Sequence, residues 1–278
     1  KPFFINLWIH EPHTPFHVDP KLQKRFAKLG EKDAIYAATL FHADLRIGQL
    51  LDALDRLKIT NNTLVIFSSD NGPARGAPDA PLTLGYDSAT GLGYGIAAAK
   101  GITGGRKGYK AALFEGGVGV PFIARWPGKI AAGKVDKTSI FSAVDLLPTF
   151  CEIAGVKLPA SYRPDGVSQV ETLQGNGKAL REKPLFWKTI APWPARKTKP
   201  DHWVSYAVVS KNWKLVANRD AGYVELYDLV TDPLEKNDLK EKHPKVVKEL
   251  TKTLEQWQTT LPPKPTGNVF SNLRNPKK

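Results

Sequence analysis

Residues 64–72 read LVIFSSDNG, an apolar run that stops at two serines, a carboxylate, a carboxamide and a glycine. Asp70 and Asn71 offer oxygen donors of the kind that hard cations such as calcium prefer. Asp-Asn-Gly is equally a common turn sequence, because glycine takes a tight bend without steric cost. A second polar cluster, HEPHTPFH, places His10, His13 and His17 within eight residues. His13, held between Pro12 and Thr14-Pro15, can bind an oxyanion or donate a proton, or it can simply pack. Three close histidines invite a zinc reading, but the prolines deny them the i, i+4 pairing of a helix. The third cluster, KGYKAALFEGG (107–117), flanks an apolar patch with Lys110 and Glu115. An ammonium there suits an anionic substrate, and it is also what any surface lysine looks like.

Other chemistries lack their motifs. GLGYG (91–95) is not followed by the Gly-Lys-Ser/Thr of a phosphate loop, and no serine sits in a Gly-x-Ser-x-Gly elbow. Cys151 lies inside the apolar stretch FCEIAG and reads as a small core residue. A calcium ion takes about 6–8 oxygens. Two side chains cannot supply them, and no other acidic pair ends a buried strand. The remaining ligands are expected in sequence outside this chain.

These clusters need elements to hold them. FFINLWI (3–9) is a continuous apolar run, as expected of a strand covered on both faces. From about Asp33 to Leu57, Tyr36, Leu40, Ala43, Ile47, Leu51 and Leu54 recur every three or four residues, the stripe of a long amphipathic helix. TLVIFSS follows as a strand, and strand–helix–strand is a crossover unit for a parallel sheet. Ligands of such sheets bind beyond the carboxyl ends of the strands. Parallel strands would therefore open the histidine cluster and Asp70–Asn71 on one edge. Residues 72–109 are glycine-rich without a sustained period, and GVPFIARW (119–126) reads as a third buried strand. A helix is expected over 143–154 with Gly155 as its cap. Beyond Pro184, WVSYAVVS, NWKLVAN and YVELYDL alternate like antiparallel strands. A last helix starts at His243-Pro244 and turns Val247, Leu250, Leu254 and Trp257 inward.

The chain has 278 residues, a net charge of +13 and one cysteine, which excludes an internal disulfide. No apolar run reaches the roughly 18–20 residues of a membrane span. The charge points to an anionic partner or to solubilising lysines; no nucleic-acid-binding motif accompanies it. The sequence contains no methionine and is strand-like by Phe3, so it is expected to be the later part of a longer protein.

The order of these motifs resembles the sulfatases of the alkaline phosphatase superfamily. FFINLWIHEPHTP is similar to the family's strand followed by Pro-His-x-Pro. IYAATLFHADLRIGQLLDAL, NTLVIFSSDNG, KGYKAALFEGGVGVPFIARWPGKI, VDLLPTFCEIAG, DGVSQ and NWKLV…ELYDLVTDPLEKNDL follow in order, from Lys1 to about Trp257. The resemblance is to the C-terminal part of a formylglycine-dependent arylsulfatase or N-acetylgalactosamine-6-sulfatase. It implies an α/β fold with a mostly parallel sheet flanked by helices over 1–183. A smaller antiparallel-sheet-plus-helix subdomain is expected over 184–262, and a poorly ordered tail over 263–278. It also implies hydrolysis of a sulfate ester, of a sulfated carbohydrate above all, in the periplasm or outside the cell.

The resemblance assigns Asp70 and Asn71 as calcium ligands, and His13 and Lys110 as the catalytic residues contacting the sulfate or the leaving oxygen. The family's nucleophile, a formylglycine made from Cys or Ser in Cys/Ser-x-Pro-x-Arg, has no counterpart motif here. The missing N-terminal part is therefore an expected partner, and the chain alone is expected to be inactive. Gly119 stands where many members carry arginine in Glu-Gly-Gly-x-Arg-x-Pro. Two other readings stay open: a phosphoryl-transfer member of the superfamily, and a non-catalytic polyanion-binding protein on the same scaffold.

Overall fold

The stripe that begins near Asp33 produces the longest element, α2 (Glu31–Arg56), preceded by the short α1 (Pro20–Arg25). The computed structural model describes residues 1–87, 91–177, 181–189, 204–218 and 223–262; the expected tail, 263–278, lies outside them. They form two compact units, one built mainly from 1–111 and 115–135, the other from 112–114, 136–172 and the residues from 176 on.

In the first unit, α2 buries Ala34, Ile35, Ala38, Thr39 and Leu54. The expected stripe is only half-buried at Tyr36, Ala43, Ile47 and Leu51, and Leu40 is exposed. What decides the buried face is the neighbour. Phe16, Ala98 and Ala99 pack on Ile35, with Tyr36, Leu82 and Tyr94 around them. Small residues at 34 and 38 bury little surface of their own, so the apolar period of the sequence passes over them.

The glycine-rich stretch 72–109 contains a hairpin that its composition hides. β2 (Leu84–Asp87) pairs antiparallel with β3 (Gly91–Tyr94), and Gly85 faces Gly93 in the register. Glycines at such positions erase the alternation by which a strand is read. Phe16 bridges to Tyr94 through hydrogen bonds of 2.8 and 3.0 Å. A Cβ on Gly93 would stand 2.7 Å from the Phe16 carbonyl oxygen, so this close approach requires glycine.

The expected parallel sheet does not form among the described residues. β1 (Val65–Ser68) pairs with β4 (Phe122–Arg125), and the pair is antiparallel, Ser68 opposite Phe122. Residues 3–9 join no ladder and are exposed throughout, Trp8 at 87%. A strand is made by its neighbours, and an apolar pattern cannot supply them. β4, read as buried, leaves Ile123 59% exposed, and β1 leaves Phe67 41% exposed.

The second unit centres on an antiparallel sheet in the order β5 (Leu185–Lys188), β6 (Tyr206–Ser210), β7 (Trp213–Ala217), β8 (Val224–Asp228). Alternation works as the sequence implies. Tyr206, Val208, Leu215 and Leu226 share one face with Leu250 and Leu254 of α6 (Pro244–Thr259). Phe186 stacks on Trp257 with ring centroids 4.9 Å apart. The opposite face carries Lys214, Glu225 and Tyr227. Lys214 Nζ lies 2.9 Å from Glu235 Oε1, with both side chains fully buried. Burial, together with the hydrogen bond that Tyr227 donates to Glu225, holds the Tyr227 phenol far above its usual pKa.

A third element of this unit is α4 (Leu146–Ile153), which ends where Gly155 takes φ 67°. Asp145, just before it, is fully buried. Its Oδ2 accepts from Ser142 N at 2.9 Å and Arg181 Nη1 at 2.7 Å; its Oδ1 accepts from Val167 N and Arg181 Nη2. One carboxylate thus joins the helix start, the DGVSQ segment leading into α5 (Val170–Leu173), and the approach to β5. Cys151 is half-buried on α4. Arg181→Met would leave the Asp145 charge buried without its cation, a loss of about 3–5 kcal/mol. Urea denaturation should show the midpoint fall accordingly; an unchanged midpoint would mean that the backbone donors satisfy Asp145 alone.

Candidate active site

Three of the four expected site residues are held together by backbone. β1 delivers the chain to Asp70 and Asn71, and Gly72 N donates to Gly117 O at 2.8 Å. One residue on, Pro73 O accepts from Lys110 N at 2.8 Å, and Gly116 N donates to Lys107 O at 2.7 Å. The Asp-Asn-Gly segment and KGYKAALFEGG are therefore laced along their length. The lacing is close. A Cβ on Gly72 would stand 1.9 Å from Gly116 O, and one on Gly116 would stand 2.2 Å from Gly108 O. Gly72 has no positive φ, so the glycine of Asp-Asn-Gly is required by this approach and not by a turn.

The side chains at the seam present oxygen. Asp70 is exposed and Asn71 half-buried. Asp70 Oδ1 accepts from Asn71 N at 2.8 Å, and Asn71 Nδ2 donates to Gly72 O at 2.9 Å. Neither Asp70 Oδ2 nor Asn71 Oδ1 has a hydrogen bond among the described residues, so one oxygen of each remains to meet a cation. Donor type and availability fit calcium. Donor number does not complete a site, since no group of three or more His, Cys, Asp or Glu among the described residues could hold a metal ion.

His13 belongs to a separately anchored loop of the same unit. Phe16 fixes one end in the core. At the other end Glu11 Oε1 lies 3.2 Å from His42 Nδ1, while Arg46 Nε donates to His42 Nε2 at 3.2 Å. With Nε2 accepting, His42 carries its proton on Nδ1 and donates it to Glu11. His13 is exposed, with Nδ1 at 2.6 Å from Thr14 O. That contact makes Nδ1 the donor and leaves Nε2 for another group. The His10 ring lies 5.8 Å from His13 and 6.1 Å from His17, centroid to centroid. No hydrogen bond joins His13 to Asp70, Asn71 or Lys110 among the described residues.

The loop and the seam are linked through packing. Gly101 approaches Pro73 so closely that a Cβ would stand 2.5 Å from Pro73 Cβ and 3.1 Å from the Tyr36 hydroxyl. Tyr36 in turn meets Phe16 edge to face at 5.8 Å. Sequence reasoning missed these close approaches at glycines 72, 101 and 116. Their abundance was visible, but only a partner segment shows which glycines touch backbone. At Gly119, a Cβ would fall 2.7 Å from Glu115 Oε2. The Glu115 carboxylate fills the space where the family's arginine would begin.

The fold around this seam is that of known sulfatases. The chain superposes with TM-score 0.66 and 27% identity on a protein of the Bacteroides thetaiotaomicron locus that orchestrates metabolism of multiple glycosaminoglycans, covering 90% of this chain and 49% of that one. It also superposes on i-CgsB in complex with a neocarrahexaose, at TM-score 0.69 and 24% identity, over 89% of this chain and 48% of that one. Residues 1–156 match the sulfatase family, and the chain belongs to it. Residues 106–260 match the C-terminal region of N-sulphoglucosamine sulphohydrolase. Among relatives, an N-acetylgalactosamine-6-O-sulfatase of Bacteroides thetaiotaomicron is 29% identical over 93% of this chain and 48% of its own length. Human arylsulfatase A is 30% identical over 67% of this chain and 32% of its own. The chain spans half or less of the length of these relatives.

The seam makes its own prediction. Gly72→Ala should force the two segments apart, at a cost of about 1–3 kcal/mol by the measure of overpacked interiors. Gly48→Ala, on α2 with nothing within 4 Å of the added carbon, should stabilise by about 0.4–1 kcal/mol. Thermal melts of the two variants should move in opposite directions. Equal shifts would mean that the seam is looser than it stands here.

Proposed function

We propose that this chain supplies the metal-ligand and sulfate-contacting half of a sulfatase site that hydrolyses sulfate esters of an anionic carbohydrate. The observation that carries the reading is the glycine seam, which keeps Asp70 and Asn71 beside Lys110 in a chain of the sulfatase family. In this reading Asp70 and Asn71 hold calcium, with further ligands from outside the described residues. When bound, that ion supplies positive charge that polarises the sulfate oxygens.

The Lys110 ammonium is a compact positive charge that meets the same oxygens. A preorganised cation of this kind stabilises the charge that grows on the transferring group. His13, with Nδ1 committed to Thr14 O, offers Nε2 to the leaving oxygen and, when that nitrogen is protonated, gives it a proton. The nucleophile comes from elsewhere: formylglycine is the family's group for that role, and its Cys/Ser-x-Pro-x-Arg precursor motif is not in this sequence. The rest of the polypeptide is thus a required partner. Exposed residues 3–9, with Phe67 on β1 and Ile123 on β4, are apolar surface suited to receive it. No helix among the described residues is long and apolar enough to cross a membrane. A periplasmic or secreted enzyme is the setting this reading favours.

Two measurements test it. In the active enzyme Lys110→Ala should lower aryl-sulfate turnover roughly 100–1,000-fold, while Lys107→Ala should do far less. The reverse pattern would place the sulfate at Lys107. Calorimetric titration should show that Asp70→Ala abolishes calcium binding and Asn71→Ala, which loses a neutral ligand, weakens it less. Unchanged calcium affinity in Asp70→Ala would remove the metal assignment.

A further inference from the structure

The mechanism above uses one cation of the 107–117 segment, yet the loop that leads into it carries more. Between residues 100 and 114 stand Lys100, Arg106, Lys107 and Lys110, with no acidic residue among them. Lys100 is engaged, its Nζ 2.8 Å from Asp33 Oδ1. Arg106 and Lys110 have no carboxylate partner among the described residues. Arg75 lies over the Tyr109 ring, its Cζ 5.8 Å from the centroid.

Arg106 is not a loose surface side chain. Gly104 and Gly105 both have positive φ, +65° and +85°, the pattern of a type I′ turn that glycine pairs favour. Arg106 N closes the turn on Thr103 O at 3.3 Å, and the Thr103 hydroxyl donates to Arg106 O at 2.8 Å. The guanidinium, in an exposed residue, folds back so that Nη1 lies 3.5 Å from Thr103 O. A planar guanidinium offers five N–H donors in a fork, and that one long contact leaves most of them for a ligand. The base of the loop is tied down by Lys110 N to Pro73 O and by the tight Gly101–Pro73 contact. Arg106 and Lys110 are four residues apart, so their backbones are separated by at most about 14 Å. That is the scale of a short oligosaccharide.

We infer that Arg106, presented by the Thr103–Arg106 turn, is a second oxyanion subsite. It takes a sulfate or carboxylate on the sugar next to the one whose sulfate ester meets Lys110. This inference rests on the proposed sulfate site and names its substrate class: a carbohydrate carrying at least two anionic groups. The first anion is held for reaction, and the second sets register. A guanidinium is the better side chain for that task, because two parallel N–H groups meet two oxygens of a sulfate or carboxylate.

The test is calorimetric binding of chondroitin disaccharides to the active enzyme and to Arg106→Gln, Arg106→Lys and Lys110→Ala. The probes are the disulfated disaccharide, the monosulfated one, and the monosulfated one with its carboxyl reduced to an alcohol. Arg106→Gln should raise the Kd of the disulfated disaccharide about tenfold or more, with Arg106→Lys recovering part of the loss. The dependence of that Kd on salt should flatten as one ion contact is removed. If the monosulfated probe is also weakened, and carboxyl reduction abolishes the difference, the second anion is the carboxylate. If only the disulfated probe responds, it is a sulfate. No change for any probe overturns the subsite. The variant Lys110→Ala separates the two ideas: full binding and turnover there overturns the sulfate site, whatever Arg106 does.

Discussion

The contact on which the candidate site depends is one between backbones. Gly72 lies so close to Gly116, and Gly116 so close to Gly108, that neither can carry a side chain, and the hydrogen bonds on either side use main-chain groups only. Such a seam extends the pairing of β1 with β4: Ser68 faces Phe122 in the register, the Ser68 hydroxyl donates to Pro121 O, and the seam follows within four residues. The metal-type oxygens and the lysine therefore inherit their spacing from a ladder. Side-chain rotamers adjust within that frame but do not set it.

The rest of the first unit serves the same geometry at one remove. The proline-rich histidine loop has almost no regular structure, yet it is held by Phe16 in the core and by Glu11 against His42. Gly101 and Pro73 bring the cationic loop against the seam. The candidate site residues sit on irregular chain, and irregular chain is made definite by a few tight contacts. This explains why a segment so rich in glycine can still have a defined shape. Gly72 and Gly93 are where one piece of backbone touches another.

What the sequence disclosed followed from local physics. α2, α4 and α6 were legible because helices depend on near neighbours, and Gly155 and Pro244 mark ends by conformational preference alone. β6, β7 and β8 were legible because one face meets α6 and alternation survives. The direction of β1 against β4 was not, because a strand's pattern is the same whichever way its partner runs. Residues 3–9 misled for a related reason: an apolar run states what a strand would bury, while the ladder has to come from another segment. The buried face of α2 was displaced because Ala34 and Ala38 carry little hydrophobic signal. Asp70, Asn71 and Lys110 stood out only as residue types at a strand end and in a basic loop. Their proximity was not readable, since it rests on glycines that resemble those of any turn.

The buried pair on the far face of the C-terminal sheet bears on how this sequence can change over time. Lys214 and Glu235 have no water to fall back on, so either residue changed alone takes from the other the charge it meets at 2.9 Å in the interior. Both changed together to apolar residues of similar volume would be close to neutral. The two positions are thus separated from an equally good alternative by a valley one substitution wide. Drift at one depends on the identity of the other. Twenty-one residues apart in the chain, they behave as a single heritable character, and a lineage that crosses the valley would be expected to lose both charges and not one.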